Sequence, residues 1–568
     1  MKTKKILALV LAFAMMISAF AACDNKKPAE GGDTSTANTS TADTNEPDDT
    51  ATGMYPGTPD ADMITVNIGT EPPKLNTTIS TDTISFAIFR NTLENLTRID
   101  RENNILPAAA ESWDVSEDKM TYTFHLRDGM TWENGDPVTA ADFEFAWKEL
   151  LNPENAAEYG YFIYFIEGAQ AYNEGTGSRD DVKATAIDEK TLEVVLTQPT
   201  EYFLFCTTFG SLAPVNQKFY EEVGAEAYGT EADKLLSNGP YKFESWTHEA
   251  DLTIVKNDTY WNAEAIKLPK IKYVMISDSN AALNAFKAGE VDLVTLTGDH
   301  AAQMTAEGYP VQHYDDGASF YLEMNLENEI LENKNIRAAI TYAIDREAYV
   351  ATIQKNDSKP ATSLVPPALK GKNGPFSDEV DSPIPTAGDV DKAKEYLEAG
   401  LAEINMTAEE VGAKLTMITD DGDLAMRIGA FVKEQLNSKL GIDIVVESMP
   451  FKSRLERMTN KDFSLVFAGW GPDYDDPNTF LDLFVTGGGN NHTGYANPEY
   501  DKLIADAAVE TDPDARMDKF FEVEKIILED MMIAPVYWRV RDFITSEKLE
   551  GVMRTAFQDM TFIEAYIK

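Results

Sequence analysis

Four aspartates, Asp473, Asp475, Asp476 and Asp482, crowd the stretch AGWGPDYDDPNTFLDLF (468–484), among Trp470, Tyr474 and two prolines. Acids at this density offer three kinds of chemistry: metal ligation, a catalytic carboxylate pair, or reception of a cationic group. An EF-hand counted from Asp473 would need an acid or amide at its fifth position, glycine at its sixth and glutamate at its twelfth. The chain has Pro477, Asn478 and Phe484 there. The histidines, His125, His248, His300, His313 and His492, are scattered, with no H-E-x-x-H and no paired-cysteine spacing, so no metal is expected. No G-x-S-x-G, S-x-x-K, Walker loop or dinucleotide fingerprint occurs, and TGGGN (486–490) lacks the lysine of a phosphate loop. A glycosidase-type carboxylate pair depends on a separation that sequence does not show. Metal ligation and catalysis are thus weakly supported, neither cofactor nor enzyme is expected, and the rest of the chain must decide what the acids receive.

The elements around the stretch place it. KLTMIT (414–419) reads as a strand. A helix striped by Leu424, Ile428, Phe431, Leu436 and Leu440 follows and can end at Gly441. IDIVVE (442–447) is a second strand, 452–459 a helix, and DFSLVFA (462–468) a third strand with nearly continuous apolar residues, as when both faces are covered. This is βαβ territory, and the acidic stretch leaves the C-terminal end of its last strand, where α/β sheets commonly hold ligands. Upstream, Tyr122, Phe124 and Leu126 alternate with polar residues as a half-buried strand. Thr139 can cap a helix with Asp142 as partner. YKFESW and DLTIVK form a strand pair after Asn238–Gly239–Pro240.

The chain has 568 residues, enough for more than one lobe, and a net charge of −47, which disfavours nucleic acid and anionic membrane surfaces as direct partners. Of its two cysteines, Cys206 lies in the apolar FLFCTTFG and reads as a buried thiol. Cys23 follows a basic segment with Lys2, Lys4 and Lys5, an apolar run from Ile6 to Ala22, and the small residues of SAFAAC. This resembles a bacterial lipoprotein box. It implies a signal peptide over 1–22 and lipidation of Cys23, which would anchor the protein outside the cytoplasm at the outer face of the cell membrane. Residues 23–60, poor in large apolar side chains, read as a disordered tether.

Five segments in order carry a wider resemblance: LRDGMTWENGDPVTAADFEFAWKELLNP (126–153), NGPYKFESW…VKNDTYWN (238–262), IRAAITYAIDREAYV (336–350), AGWGPDYDDPNTFL (468–481) and NPEYDKLIADA (497–507). Together they resemble the family 5 extracellular solute-binding proteins, the oligopeptide- and dipeptide-binding receptors of bacterial ABC importers. The resemblance covers essentially all of 60–568. It implies an α/β, two-lobed periplasmic-binding-protein-like fold with an additional domain, of the large cluster C type. Lobe I would comprise 60–105, 226–315 and 535–568, the extra domain 106–225, and lobe II 316–534. It also implies a monomer that engulfs peptide between its lobes and hands it to ABC permease subunits. Alternatives are another ligand of the same class (a nickel chelate, a sugar or a modified peptide) or an extracytoplasmic hydrolase.

By the same resemblance Asp473, after Trp470, would pair with a peptide α-ammonium, with Trp470, Tyr474 and Tyr159 lining the site. Trp470 and Tyr159 read equally as core packing, and Asp475 and Asp476, before Pro477, as turn or cap residues. Some oligopeptide-binding members carry arginine three residues before the tryptophan; this chain has Phe467. The physical case for Asp473 stands beside the analogy. A receptor that tolerates many side chains must grip the backbone and termini that all peptides share. An enclosed ammonium without a partner is costly to desolvate, so one carboxylate must meet it.

Overall fold

The structure is a computed structural model and describes residues 57–557 and 559–568. Cys23 and the proposed signal segment lie outside the described residues, as does the expected tether as far as residue 56. The last tether positions, 57–60, are already fixed. Thr58 donates through its backbone N and Oγ1 to the buried Asp292 carboxylate, at 2.9 and 2.7 Å, and the Lys548 ammonium donates to the carbonyls of Thr58, Asp60 and Met63. The polar composition of 57–60 hid a buried acceptor more than 200 residues away.

One mixed sheet runs through both lobes. At one end the strands Val445–Met449, Thr416–Asp420 and Leu465–Trp470 are parallel, with the helix Asp423–Leu440 as crossover. That helix stops at Gly441, whose φ of 70° supplies the left-handed turn. At the other end, Leu293–Leu296, Met63–Asn67, Lys270–Val274, Asp251–Lys256 and Tyr241–Thr247 complete the order. Two thirteen-residue strands, Gln312–Met324 and Ile533–Thr545, pair antiparallel at the centre and join the two ends. The chain therefore passes between its lobes through hydrogen-bonded strands.

A separate four-stranded antiparallel sheet, in the order Ala110–Val115, Thr121–Leu126, Thr191–Val195, Ala184–Asp188, packs against the helix Ala140–Leu150. Phe143, Ala146, Trp147 and Leu150 of that helix are fully buried. The Trp147 indole donates to the Leu212 carbonyl at 2.9 Å, and the Asp142 carboxylate accepts from the Thr139 backbone N at 2.8 Å. Burying large apolar side chains of this kind contributes about 1.5–3 kcal/mol each. The short helical turn Glu158–Ile163, which carries Tyr159, follows this helix in the chain.

The central strand pair is not regular. Its register breaks between Asp315 and Ser319 and again between Phe320 and Tyr321. Gly317 lies in the first break with φ of 68°, and a Cβ there would stand 2.9 Å from Pro472 and 3.1 Å from Ala556. The break bends the strand and re-aims its side chains. Replacing Gly317 with alanine should cost about 1–2 kcal/mol from the left-handed backbone, measured by urea unfolding. A neutral substitution would show that the bend relaxes freely.

Candidate functional site

The strand Leu465–Trp470 ends where the chain turns through Gly471 and Pro472, and Asp473 follows. Its backbone N donates to Thr479 Oγ1 at 3.0 Å, which ties the turn to the helix Asn478–Leu481. The Asp473 side chain faces a cavity of about 1130 Å³. Tyr159, 314 residues away and 4% exposed, donates its hydroxyl to Asp473 Oδ1 at 3.2 Å. This is the one hydrogen bond the carboxylate receives among the described residues. The Trp470 ring lies 6.1 Å from that of Tyr159 at 44°, and Phe86 and Phe209 pack on Tyr159 at 6.1 and 5.5 Å. Asp473 thus sits in an aromatic enclosure with one edge toward the cavity. Burial pushes its carboxyl well above the usual aspartate range. The Tyr159 hydrogen bond and the Arg90 guanidinium pull it down, and Asp482 pushes it further up.

The other aspartates of the opening cluster do different work. Asp476 forms a bidentate pair with Arg516, at 2.6 and 2.9 Å, and its Oδ1 accepts from the Asn478 backbone N at 3.0 Å. Asp475 is half-buried, raised by burial and drawn back by Lys370. Asp482 Oδ2 accepts from Tyr474 Oη at 3.3 Å and Asn478 Nδ2 at 3.0 Å, while its buried Oδ1 has no partner among the described residues. Tyr474, expected in the lining, stands behind the wall instead. It is 3% exposed, stacks on Tyr202 at 4.5 Å and 8°, and spends its hydroxyl on Asp482. The alternation of direction after Pro472 turns Tyr474 inward and Asp473 outward.

Both ends of the sheet contribute to the cavity. Phe320, Phe467 and Tyr537 form an aromatic wall, with Phe320 stacked on Tyr537 at 4.8 Å and on Phe467 at 6.2 Å. Phe467 is therefore an apolar wall residue. At the rim, Asp299 accepts from Lys355 Nζ at 2.6 Å and Arg427 Nη1 at 3.0 Å, bridging the helices Gly298–Ala306 and Asp423–Leu440. Thr459 Oγ1, at the end of the helix Phe451–Thr459, donates to Oε1 of the cavity-lining Glu158 at 2.9 Å. Sequence reasoning did not find Arg90, Asp299 or the arginines of the strand Ile533–Thr545. A visible signal existed for Arg90, a lone cation in the otherwise uncharged helix TISFAIFRNT (83–92). Among the described residues no group of three acids, histidines or cysteines is arranged to hold a metal, and no helix is long and apolar enough to cross a membrane.

Asp482 supplies a test of this electrostatic arrangement. Burial pushes its carboxyl up to about 7, against 3.8 for an ordinary aspartate. A raised carboxyl means that the folded state holds its proton longer than the unfolded chain, so this group destabilises the fold increasingly as pH climbs from about 4 to about 7. Asp482→Asn keeps an acceptor for Tyr474 and Asn478 without the charge. The variant should melt higher than the parent above pH 7, and the difference should vanish below about pH 4. Thermal melts across that range would refute the assignment if the gap were independent of pH.

Comparison with known proteins agrees with this architecture. The model of the bacterial extracellular solute-binding proteins, family 5, matches residues 104–492. The oligopeptide-binding protein OppA of Bacillus subtilis is 36% identical over 518 residues, covering 89% of this chain and 92% of its own. The dipeptide-binding protein DppE of the same organism is 35% identical over 492 residues, covering 87% and 89%. The solved structure of Listeria monocytogenes OppA bound to peptide superposes with a TM-score of 0.83 at 32% identity, over 89% of this chain and 99% of that one. The chain is a member of the family 5 bacterial extracellular solute-binding proteins, with their two-lobed fold and additional domain.

Proposed function

We propose that the protein is an extracytoplasmic receptor that captures peptides between its lobes and delivers them to an ABC importer. One observation carries the ligand class: a cavity large enough for a peptide, walled by aromatic rings, meets at Asp473 a carboxylate with a single hydrogen bond. An ionised carboxylate accepts up to about four, so an incoming ammonium finds both charge and unfilled acceptor positions. Trp470 and Tyr159 flank that position and exclude water. Gly471 adds nothing in front of the backbone, where a Cβ would meet no atom within 4 Å, so an extended ligand can approach the main chain. Relatives named for oligopeptide and dipeptide binding support the same reading. The protein acts as a monomer that returns its ligand unaltered, without cofactor. Closure about the paired central strands changes the shape that the permease meets.

Asp473→Asn should weaken a tight free-amine peptide by about 2–5 kcal/mol, the range for truncating one partner of a buried charge pair. N-acetylation of the peptide should do the same to the parent, whereas Asp475→Asn should cost much less. Because burial raises the Asp473 carboxyl, affinity should also fall as pH is lowered through its titration. Calorimetry of one peptide against these variants decides the matter; equal losses at Asp473 and Asp475 would point to a diffuse negative field.

Cys23 is the proposed lipid anchor, and residues 24–56 the tether from membrane to receptor. The mature N-terminal peptide should carry acyl chains on Cys23 in mass spectrometry, and Cys23→Ala should release the protein from cells. An unmodified Cys23 would remove the anchor from this account.

A further inference from the structure

Around the two central strands the cavity is lined by guanidinium groups whose donors the neighbouring carboxylates do not all engage. Four guanidinium groups, Arg90, Arg539, Arg541 and Arg554, meet two carboxylates, Asp316 and Asp559. Asp316 is shared: it accepts from Arg539 Nε at 2.7 Å and Arg541 Nε at 2.6 Å. Asp559 accepts from Arg554 Nε at 2.7 Å, and Arg554 itself is closed off, with 1% of its side chain exposed. Arg90, Arg539 and Arg541 all line the cavity, and Arg539 engages Asp316 through Nη2 as well. Arg541 has both Nη groups without a hydrogen-bond partner among the described residues. Arg90 has no hydrogen bond or ion pair to any described residue, although both line the cavity. Arg90 and Arg541 share Asp559 and Tyr314 as electrostatic neighbours, and Arg90 also feels Asp473, so the three charges lie along one wall. Burial alone pulls the Arg90 guanidinium down, which marks a cation short of partners.

A guanidinium in this position is a fork for a planar anion. We infer that Arg90, with Arg541 beside it, forms a carboxylate-binding subsite next to Asp473, so that the ligand is read by two opposite charges and not by its ammonium alone. The inference rests on the peptide reading and narrows it. A peptide can present that carboxylate from an acidic side chain near its N-terminus or, if short, from its C-terminus. The competing role for Arg90 is to offset the charge of Asp473 in general, which would favour every free-amine peptide alike.

Calorimetry separates these roles. One peptide sequence is compared with Glu or Gln as first residue, and with a free or amidated C-terminus, against the parent, Arg90→Gln and Arg90→Lys. At least one acid should bind the parent roughly tenfold or more tightly than its amide, the usual scale for a buried charge pair. Arg90→Gln should abolish that preference, so that the acid peptides lose roughly tenfold or more beyond whatever the fully amidated Gln peptide loses. Arg90→Lys should keep part of the preference. A preference for Glu assigns the side chain, and one for the free terminus assigns the terminus. Equal binding of acids and amides, a preference undiminished in Arg90→Gln, or uniform weakening of every peptide would each overturn the subsite while leaving the peptide reading intact. No binding of any peptide to the parent would overturn both.

Discussion

Asp473 accepts a single hydrogen bond among the described residues, from Tyr159, where an ionised carboxylate has room for about four, and the Tyr159 ring packs against Trp470. Such a group is expensive to keep. Its carboxyl is raised by burial, which records the cost. The rest of the structure holds that carboxylate in place and leaves its open edge toward a space that a ligand can enter. On the proposed reading, a ligand ammonium would fill the acceptor positions that the described residues leave open.

Keeping the arrangement requires parts from distant stretches of chain. The parallel strand Leu465–Trp470 delivers Trp470 and Asp473 to its C-terminal end, and the short helical turn Glu158–Ile163 delivers Tyr159. Gly317 lets the central strand bend closely against Pro472, and Thr479 fixes the turn from the other side. Asp476 and Arg516 neutralise each other nearby, so the acidic sequence does not become a diffuse negative patch. Of four neighbouring acids, one faces the cavity, one is paired, one is buried among hydroxyl and amide donors, and one stays half-buried near Lys370. Asp299 ties the rim across to Arg427 and Lys355, contacts that separation of the two helices would break.

Much of the local structure was legible in the sequence because periodicity and caps act over a few residues. The strands at 121–126, 241–247 and 465–470 follow apolar patterning, and the helix 423–440 ends at Gly441 as its sequence implies. The central strand QHYDDGASFYLEM (312–324) offered no such pattern. Its first half is polar, it carries two register breaks, and its partner lies more than 200 residues away, so its pairing is set by tertiary contacts. The acidic motif pointed to the right place, but side-chain direction after Pro472 depends on the turn geometry, which separates Asp473 from Tyr474. Arg90 went unread because its significance arises only when Asp559, Asp473 and Arg541 come together in space.

The central claim is that Asp473 receives the positive terminus of a peptide enclosed between the lobes. A crystal structure of the protein with a bound free-amine peptide tests it most directly. The account predicts the ligand nitrogen within about 3 Å of an Asp473 oxygen, a charge-assisted hydrogen-bond distance, with Tyr159 and Trp470 against it and the cavity closed over the chain. A peptide lying in the cavity with its ammonium turned to solvent, or with its carboxylate end at Asp473, would contradict it.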